Sequence, residues 1–398
     1  MMRWSTAGES HGRQLVALVE GLPAGIVVST AGLRAELARR RTGYGRGARQ
    51  KFEQDQCRFI AGVRHGKTLG SPIAIEILNS EWPRWEVVMD PDQVDPMLLR
   101  QADGQGDSRE LARHKRLTKP RPGHADLTGI LKFGFDDTRN VLERASARET
   151  VARVAAGYVA KAFLEQVAGI KIIGHVVGVG ERSAPSAVIT PEDCPVIERS
   201  LMRTAHSSLE VEFMAEIDRA HRQGDTVGGV AEIVAWNVPP ALGSYTTWKD
   251  RLDGQLAQSL MSIPAVKGVE IGDGFAQSRV YGSQAHDEII YGNGKYTRVT
   301  NRAGGIEGGM SNGEPVVARI AVKPIPTVPH ALRTVDIDTK ELTTANHQRS
   351  DTTAIVPAAV IGESMMALTL AAALLERSSG DTLDDIQRHM VDLGKMGS

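Results

Sequence analysis

The chain has 398 residues, 41% of them hydrophobic, which is ordinary for a globular protein with a sizeable core. Its 47 basic residues nearly balance its 48 acidic residues, giving a formal net charge of −1. A general nucleic-acid binder usually carries a clear basic excess, so the composition argues against that class. Cys57 and Cys194 form no CxxC pair, which predicts neither a disulfide framework nor a cysteine zinc site.

Membrane and targeting signals are also missing from the sequence. The first residues, MMRWSTAGESHGRQ, lack the apolar segment of a signal peptide. No run of about 18 apolar residues is evident, so we expect no transmembrane helix and no membrane partner. These patterns predict a reduced, cytoplasmic protein. Length alone predicts roughly two to three domains, with one large domain as the alternative.

Hydrophobic periodicity predicts helices and strands in the following order. Helical spacing covers residues 30–41, with Thr30 as the N-cap, and residues 143–166. β-Branched runs bounded by Gly or Pro predict strands over 171–180, 227–239 and 315–326. Helices follow over 363–376 and 382–391, the last beginning with a capping box of Thr382 and Asp385. Because strands and helices do not alternate in short βαβ units, we expect an α+β fold with antiparallel sheets.

An arginine-rich stretch, RRRTGYGRGAR, spans residues 39–49 and is typical of a site for phosphate or carboxylate. Arg39 and Arg41 lie at the end of the predicted helix, where their charge would complement the helix dipole. Arg46 and Arg49 follow the helix among glycines, which let the backbone approach an anion, so we interpret them as ligand-binding. Arg40 fits either interpretation.

Three further loops combine titratable groups with glycine or proline. They contain Ser10 and His11, then His124 after a Lys-Pro and an Arg-Pro step, and then His347, Arg349 and Asp351. Taken singly, a turn histidine is often a surface residue, and Asp351 is equally suited to cap a helix. Taken together, they supply proton donors, a carboxylate base and anion-binding arginines, the inventory for acid–base chemistry on an anionic substrate.

Two segments are rich in glycine. The first, GNGK at residues 292–295, predicts a hairpin turn. The second, NRAGGIEGGMSNGEP at residues 301–315, is either a hairpin or a loop whose backbone N–H groups line a ligand. The phosphate loop GxxxxGK[ST] is absent, and GYGRG lacks the strand–turn–helix context of a dinucleotide site. No acidic ligand accompanies His11, His124 and His347 at a known spacing, so no metal is expected.

Seven segments together resemble the chorismate synthase family, in the family's order and over residues 7 to about 363. They are AGESHGRQLVALVEGLP, RRTGYGRG, RPGHADL, RNVLERASARETVARVAAG, VKGVEIGDGF, NRAGGIEGGMSNGEP and QRSDTTAIVPAAVIGE. The resemblance implies a single domain over residues 1–398, folded as a β-α-β sandwich with antiparallel sheets around a helical core. It also implies a homotetramer.

The activity implied by this resemblance is that of a lyase of the shikimate pathway, the route to aromatic amino acids. The family eliminates phosphate from 5-enolpyruvylshikimate 3-phosphate to give chorismate, an anti 1,4-elimination with no net redox change. The family requires reduced FMN. NADPH would enter indirectly, to reduce the flavin, and at 398 residues we expect an external flavin reductase.

The resemblance also implies roles for individual residues. His11 is expected to protonate the departing phosphate, His124 to protonate the reduced flavin, and Asp351 to act as the base through the flavin. Ser10, Arg40, Arg46 and Arg49 are expected to bind substrate, although the family's Arg40 and Arg46 positions are also assigned to NADP. Flavin contacts are expected from a larger set: Arg144, Ala145, Ser146, Pro264, Ala265, Gly309, Lys323, Pro324, Ile325, Pro326, Thr327 and Arg349. Pro264 departs from the family, in which many members carry Asn or Gln, so only its carbonyl or its ring can contact the flavin.

Two rival functions make different predictions. An RNA-binding protein that uses the Arg/Gly/Tyr loop would bind with an affinity that falls steeply with salt. The near-zero net charge argues against it. A flavin reductase would need a nicotinamide site, and the sequence has no dinucleotide fingerprint.

Overall fold

The structure is a computed structural model that describes residues 2–46, 56–100, 110–185, 187–292, 294–345 and 351–396. Its strands are β1 (Arg3–Ala7), β2 (Gln14–Glu20), β3 (Ala24–Val27), β4 (Cys57–Ala61), β5 (Val63–Arg64), β6 (Lys67–Leu69), β7 (Ile73–Leu78), β8 (Lys171–Val179), β9 (Arg182–Ser183), β10 (Gly229–Trp236), β11 (Val266–Ile271), β12 (Ile289–Gly292), β13 (Lys295–Arg298), β14 (Ile306–Glu307), β15 (Met310–Ser311), β16 (Val316–Val322), β17 (Arg333–Val335) and β18 (Leu342–Thr344).

The α-helices lie between these strands and at the end of the chain. They are α1 (Thr30–Arg41), α2 (Glu110–His114), α3 (Asp126–Phe133), α4 (Arg139–Leu142), α5 (Thr150–Ala168), α6 (Cys194–Arg199), α7 (Ser207–Arg222), α8 (Leu252–Met261), α9 (Gly282–Ala285), α10 (Ile355–Arg377) and α11 (Leu383–Met396).

Two antiparallel sheets enclose a layer of helices. The first sheet has four strands in the order β1-β2-β7-β4, and the second has five in the order β11-β16-β10-β8-β9. Helix α5 packs on β2 and β7 of the first sheet, helix α10 packs on β8 and β10 of the second, and the two helices pack on each other. The predicted α+β sandwich with antiparallel sheets around a helical core is therefore confirmed.

The two central helices approach closely at one glycine. A Cβ atom on Gly157 of α5 would lie 2.3 Å from the Cβ of Ser364 on α10, so only glycine allows this separation. Helix α10 is predominantly apolar, as expected of a helix buried over most of its surface. It is long and apolar enough to cross a membrane, with a mean hydropathy of 1.8, but 89% of that stretch is buried inside the protein. It is the core helix of the sandwich.

Several predicted boundaries were wrong, each for a local reason. Ser29, not Thr30, caps α1, because its Oγ accepts the Gly32 N–H at 2.9 Å. The predicted helix 143–166 begins only at Thr150, since Ser146 caps a separate 3₁₀ turn before it. The predicted helix 363–376 begins earlier, at Ile355, because Pro357 lies in the first turn, where its missing N–H costs no hydrogen bond.

Other local predictions were confirmed. Thr382 and Asp385 form the predicted capping box of α11, with Thr382 Oγ1 2.6 Å from Asp385 Oδ2. The three predicted strands correspond to β8, β10 and β16, which lie side by side in the five-stranded sheet. Gly292 pairs with Lys295 in the antiparallel hairpin of β12 and β13, as expected.

Candidate active site

His11 lies in a turn after β1 and is held by one carboxylate. Glu143, at the end of α4, accepts the His11 backbone N–H at Oε2 (2.8 Å) and contacts the ring Nδ1 through Oε1 at 2.9 Å. The backbone carbonyl of Glu143 also accepts the Ser10 N–H at 2.8 Å. The Glu143 side chain is only 3% exposed and the His11 side chain 12%. The Ser10–His11 turn is thus fixed at two backbone positions and one ring nitrogen.

An aromatic ring and two guanidinium groups surround this histidine. The Trp85 ring stacks on the His11 ring, with the centroids 3.7 Å apart and the planes 22° apart. Arg113 and Arg139 lie 5.8 and 5.5 Å from the Trp85 ring centroid. Arg139 also lies 3.6 Å from Glu143, and its Nε is buried and makes no hydrogen bond to a described residue. The surroundings of His11 therefore combine a titratable ring with cations, as an anionic ligand requires.

The segment from Ser146 to Thr150 lies between the His11 turn and the arginine-rich helix. Ser146 Oγ donates to Ser10 Oγ at 3.1 Å, two residues after Arg144 and one after Ala145. Four residues later, Thr150 Oγ1 accepts from the buried Arg40 side chain at 3.4 Å. The predicted substrate residues Ser10 and Arg40 and the predicted flavin residue Ser146 thus belong to one connected region. Arg144 itself binds the Thr6 and Gly8 carbonyl oxygens.

His124 has a second carboxylate and a second arginine. Its Nδ1 lies 2.6 Å from Asp126 Oδ1, at the start of α3, and the Arg121 side chain contacts both the ring and the Asp126 carboxylate. Burial acts to raise the pKa of Asp126, but the hydrogen bonds from His124 and Arg121 and the charge of Arg121 outweigh burial and hold that pKa well below its usual range. Asp126 is therefore an ionised acceptor that orients His124.

The predicted flavin segment 323–327 packs beside His124. Arg121 donates to the Thr327 hydroxyl at 3.2 Å, and the Lys323 ammonium donates to the Gly123 carbonyl. The Lys323 backbone N–H donates to the Ala265 carbonyl at 2.9 Å. These contacts bring together three separate predicted segments, which also contain Pro264, Pro324, Ile325 and Pro326.

Ala265 adopts a backbone conformation that is unusual for its residue type. Its φ of +72° lies in the left-handed region, which costs a residue with a Cβ atom about 1 kcal/mol or more. Strain of this kind is commonly found at ligand sites. Pro264 immediately precedes Ala265, whose carbonyl accepts the Lys323 N–H. The Pro264 ring therefore lies next to this turn.

Arg46 and Asp351 form an ion pair. Their Nη1 and Oδ2 atoms lie 2.5 Å apart, and the side chains are 10% and 17% exposed. The Thr352 N–H next to Asp351 donates to the Gly45 carbonyl at 2.9 Å. The predicted anion-binding loop thus contacts the segment that immediately precedes α10. Arg49, Arg349 and His347 lie outside the described residues.

Gly309 and its neighbours belong to a hairpin. Gly308 and Gly309 connect β14 and β15 with φ values of +59° and +85°, and Gly309 accepts from the Leu252 N–H at 2.8 Å. Ser311 is buried and bonds the Leu242 N–H and the Pro239 carbonyl. Residues 306–311 therefore form a hairpin, and Ser311 serves the fold.

Arg39 also differs from its prediction as a group that complements the helix end. It lies in a network of six charged side chains: Glu36, Arg39, Lys161, Glu198, Arg203 and Glu363. Burial acts to lower the Arg39 pKa, but Glu363 and Glu36 outweigh burial and raise that pKa above its usual value. Within the described ranges no group of three metal-ligating side chains occurs.

Four residues that contact the predicted histidines were not among the predicted site residues: Trp85, Arg121, Asp126 and Glu143. Asp126 stood two residues from His124 in RPGHADL, so its proximity was a usable signal. Glu143 lies 132 residues from His11 and carried no local signal.

The fold and these paired histidines, carboxylates and arginines are typical of an enzyme that moves protons on an anionic substrate. Comparison with known proteins identifies the family. The sequence model of the family described as chorismate synthase matches residues 2–375. The chain belongs to the chorismate synthase family.

Individual relatives agree over nearly the whole chain. A chorismate synthase of Mycolicibacterium vanbaalenii is 56% identical over 392 residues, covering 98% of this chain and 95% of the relative. A chorismate synthase of Mycobacterium tuberculosis is 54% identical, with the same coverage. A solved crystal structure of a chorismate synthase is 38% identical, covers 100% of this chain and 98% of its own, and superposes with a TM-score of 0.77.

Proposed function

We propose that this protein catalyses the anti 1,4-elimination of phosphate from 5-enolpyruvylshikimate 3-phosphate, giving chorismate. It would be a carbon–oxygen lyase acting on a phosphate, at the last common step of aromatic amino acid biosynthesis. Family membership supports the reaction. The structural observation that supports this reaction at particular residues is the His11–Glu143 pair. The pair lies in a region that also contains Ser10, Ser146 and Arg40. That arrangement sets a proton donor beside groups that bind an anion.

The residues around His124 fit reduced FMN. Lys323 and Arg121 supply cationic donors for a phosphate or a carbonyl edge, while Pro324, Ile325 and Pro326 supply apolar surface for a planar ring. The left-handed backbone at Ala265 lies in the same cluster. The further flavin contacts would come from Arg144, Ala145, Ser146, Pro264, Gly309 and Arg349. Reduced flavin, when bound, supplies electron density to the allylic system from which phosphate departs.

Each catalytic side chain would have one task. His11 would give a proton to a phosphate oxygen as the C3–O bond breaks, and Glu143 would stabilise the ring during that transfer. Asp351 would take up the proton that leaves C6. His124, oriented by Asp126, would hold a proton at the edge of the cofactor site. Arg40, Arg46 and Arg49 would bind the substrate's phosphate and carboxylates, which neutralises the charge that develops on the leaving group.

The remaining proposals concern the source of reduced flavin, the assembly of the protein and the ligand of two arginines. NADPH would act indirectly, through an external flavin reductase, and the protein would be a cytoplasmic homotetramer. Arg40 and Arg46 are better suited to the substrate than to NADP, because a compact trianion requires several guanidinium groups at close range. Arg40 is buried within the sandwich, which favours a small ligand.

An anaerobic omission experiment tests the proposed reaction. The purified protein is mixed with 5-enolpyruvylshikimate 3-phosphate and dithionite-reduced FMN, and chorismate and phosphate are followed by chromatography and a phosphate assay. We expect both products in equal amounts, and neither when FMN is omitted or left oxidised. Absence of product, with binding of substrate and flavin verified separately, would refute the proposed function. Repeating the reaction with NADPH and oxidised FMN tests whether a separate reductase is required.

A further inference from the structure

Glu143 contacts two different groups of His11, its backbone N–H and its ring Nδ1. One carboxylate oxygen, Oε2, accepts the backbone N–H of His11 at 2.8 Å. The other, Oε1, lies 2.9 Å from the ring Nδ1, which is also 3.1 Å from Oε2. A carboxylate has only acceptor atoms, so the nitrogen that faces it must carry the hydrogen. The contact therefore determines which of the two ring nitrogens of His11 is the donor.

Stacking and the main-chain contacts restrict the ring further. Trp85 stacks on the His11 ring, with the centroids 3.7 Å apart and the planes inclined by 22°, and covers one face of it. The Glu143 carbonyl holds the preceding Ser10 N–H. With Nδ1 directed at Glu143, the ring can exchange a proton with a ligand only through Nε2.

We infer that Glu143 is the positioning residue of His11: its carboxylate fixes Nδ1 as the protonated nitrogen and assigns proton transfer to Nε2. This inference rests on the proposed elimination, in which His11 acts as the acid. Glu143 contacts no reacting atom in this account and acts through the histidine. Arg139, 3.6 Å from the carboxylate, is the other charged group packed against it.

The arrangement predicts that glutamine cannot replace Glu143. Both carboxylate oxygens face a donor, the backbone N–H at Oε2 and the ring N–H at Oε1. A glutamine side chain has one oxygen and one NH₂ group. If its oxygen accepts the backbone N–H from the Oε2 position, the NH₂ group takes the Oε1 position, which is the closer of the two to Nδ1, and favours a ring that carries its hydrogen on Nε2 instead. In the proposed reaction His11 gives up the Nε2 hydrogen while Nδ1 keeps its own. With Nδ1 unprotonated, loss of the Nε2 hydrogen would leave an imidazolate, so the ring would be a far weaker acid.

The first test compares Glu143→Gln with a matched control. Glu232 is also a buried glutamate that pairs with a histidine, His175 at 3.0 Å, and with an arginine, Arg319 at 2.7 Å, within the five-stranded sheet. We expect Glu143→Gln to lower kcat by about 10²- to 10⁴-fold, the range for general acids and for a wrongly protonated imidazole. We expect substrate affinity, measured by calorimetry, to stay close to that of the wild type. Glu232→Gln should leave kcat unchanged.

The second test does not depend on turnover. Solid-state NMR of sedimented, ¹⁵N-histidine-labelled protein at high pH reports which ring nitrogen carries the hydrogen, and His11→Gln identifies the His11 signals. We expect Nδ1–H in the wild type and Nε2–H in Glu143→Gln. An Nε2–H ring in the wild type would overturn the inference even if Glu143→Gln did not fold.

The two tests separate failure of the inference from failure of the proposed reaction. A variant with normal kcat, or one with low kcat and an unchanged His11 ring, would overturn the positioning role. If the wild type forms no chorismate yet shows the Nδ1–H ring and its reversal in Glu143→Gln, the proposed reaction fails while the control of the ring by Glu143 stands.

Discussion

Glu363→Gln should destabilise the whole sandwich, because the Glu363 carboxylate is the centre of a buried ionic network. The carboxylate is 0% exposed and accepts from Arg39 at 2.7 and 2.8 Å, from Arg203 at 2.9 Å and from the Gly174 N–H at 2.8 Å, as well as from Lys161. These partners lie on α1, α5, β8 and a loop, while Glu363 lies on α10. The Glu363 carboxylate therefore links the helical layer to the five-stranded sheet. It also fixes the end of α1 next to Arg40.

The magnitude follows from the charge balance. The network contains three cations and three carboxylates, so removing one carboxylate charge leaves a buried net charge of +1. Removing one partner of a buried ion pair typically costs about 3–5 kcal/mol of unfolding free energy. With an unfolding entropy of about 2.1 cal/mol/K per residue, a chain of 398 residues should lose about 4–6 °C in Tm.

The assay is thermal unfolding followed by circular dichroism at one fixed protein concentration, since assembly would otherwise shift Tm. Glu376→Gln, an exposed residue on the same helix, is the control and should change the unfolding free energy by less than about 0.5 kcal/mol. Adding Lys161→Met to Glu363→Gln restores charge balance and should recover part of the loss. A Tm of Glu363→Gln equal to that of the control would refute the reasoning.

Three further predictions concern catalysis, binding and pH. His11→Ala and His124→Ala should each lower kcat by about 10²- to 10⁴-fold with the fold intact by circular dichroism, as should Asp351→Ala; near wild-type rates at neutral pH would remove these assignments. Arg46→Met should raise the substrate KM by about 10- to 100-fold in assays with dithionite-reduced FMN and no NADPH, because a charge-assisted hydrogen bond contributes about 1.5–3 kcal/mol; an unchanged KM would favour an NADP role. Burial acts to raise the Glu363 pKa, but its cations outweigh burial and lower that pKa below the unfolded value, so its stabilisation is present above about pH 4.3 and is lost as pH falls below it. The Tm difference between wild type and Glu363→Gln should therefore shrink in acid, and a constant difference from pH 7 to pH 3 would contradict this.

The long periodic elements of the fold could be predicted from local sequence. The strands β8, β10 and β16 and the capping box of α11 depend on residues close together in the chain, and these predictions were confirmed. The start of α10 was predicted at residue 363 instead of Ile355, although a proline such as Pro357 in the first turn is compatible with a helix. The sheet order depends on pairing between distant segments, which periodicity does not specify.

In the candidate site, too, some residues could be predicted from local sequence and others could not. Residue type and loop context marked His11, His124, Arg46 and Asp351, and the structure pairs Arg46 with Asp351. The dependence on a flavin came only from family resemblance, because no local motif specifies one. The partner of His11 could not be predicted, since Glu143 reaches it through the packing of α4 against the β1 turn.

Arg39 shows the limit of reasoning from helix ends. Its position in the last turn of α1 suggests a solvated charge, but its carboxylate partners come from three different segments of the chain. Only tertiary packing distinguishes a buried ion pair from a surface charge at such a position.

The most direct test of the central claim is the ratio of product to flavin. Under anaerobic conditions, the protein is given excess 5-enolpyruvylshikimate 3-phosphate and a small, known amount of reduced FMN, and chorismate, phosphate and the flavin spectrum are measured at completion. An elimination with no net redox change predicts equal chorismate and phosphate, many turnovers per flavin, and a flavin that is still reduced at the end. Product that stops at one equivalent per flavin, with the flavin oxidised, would contradict the account.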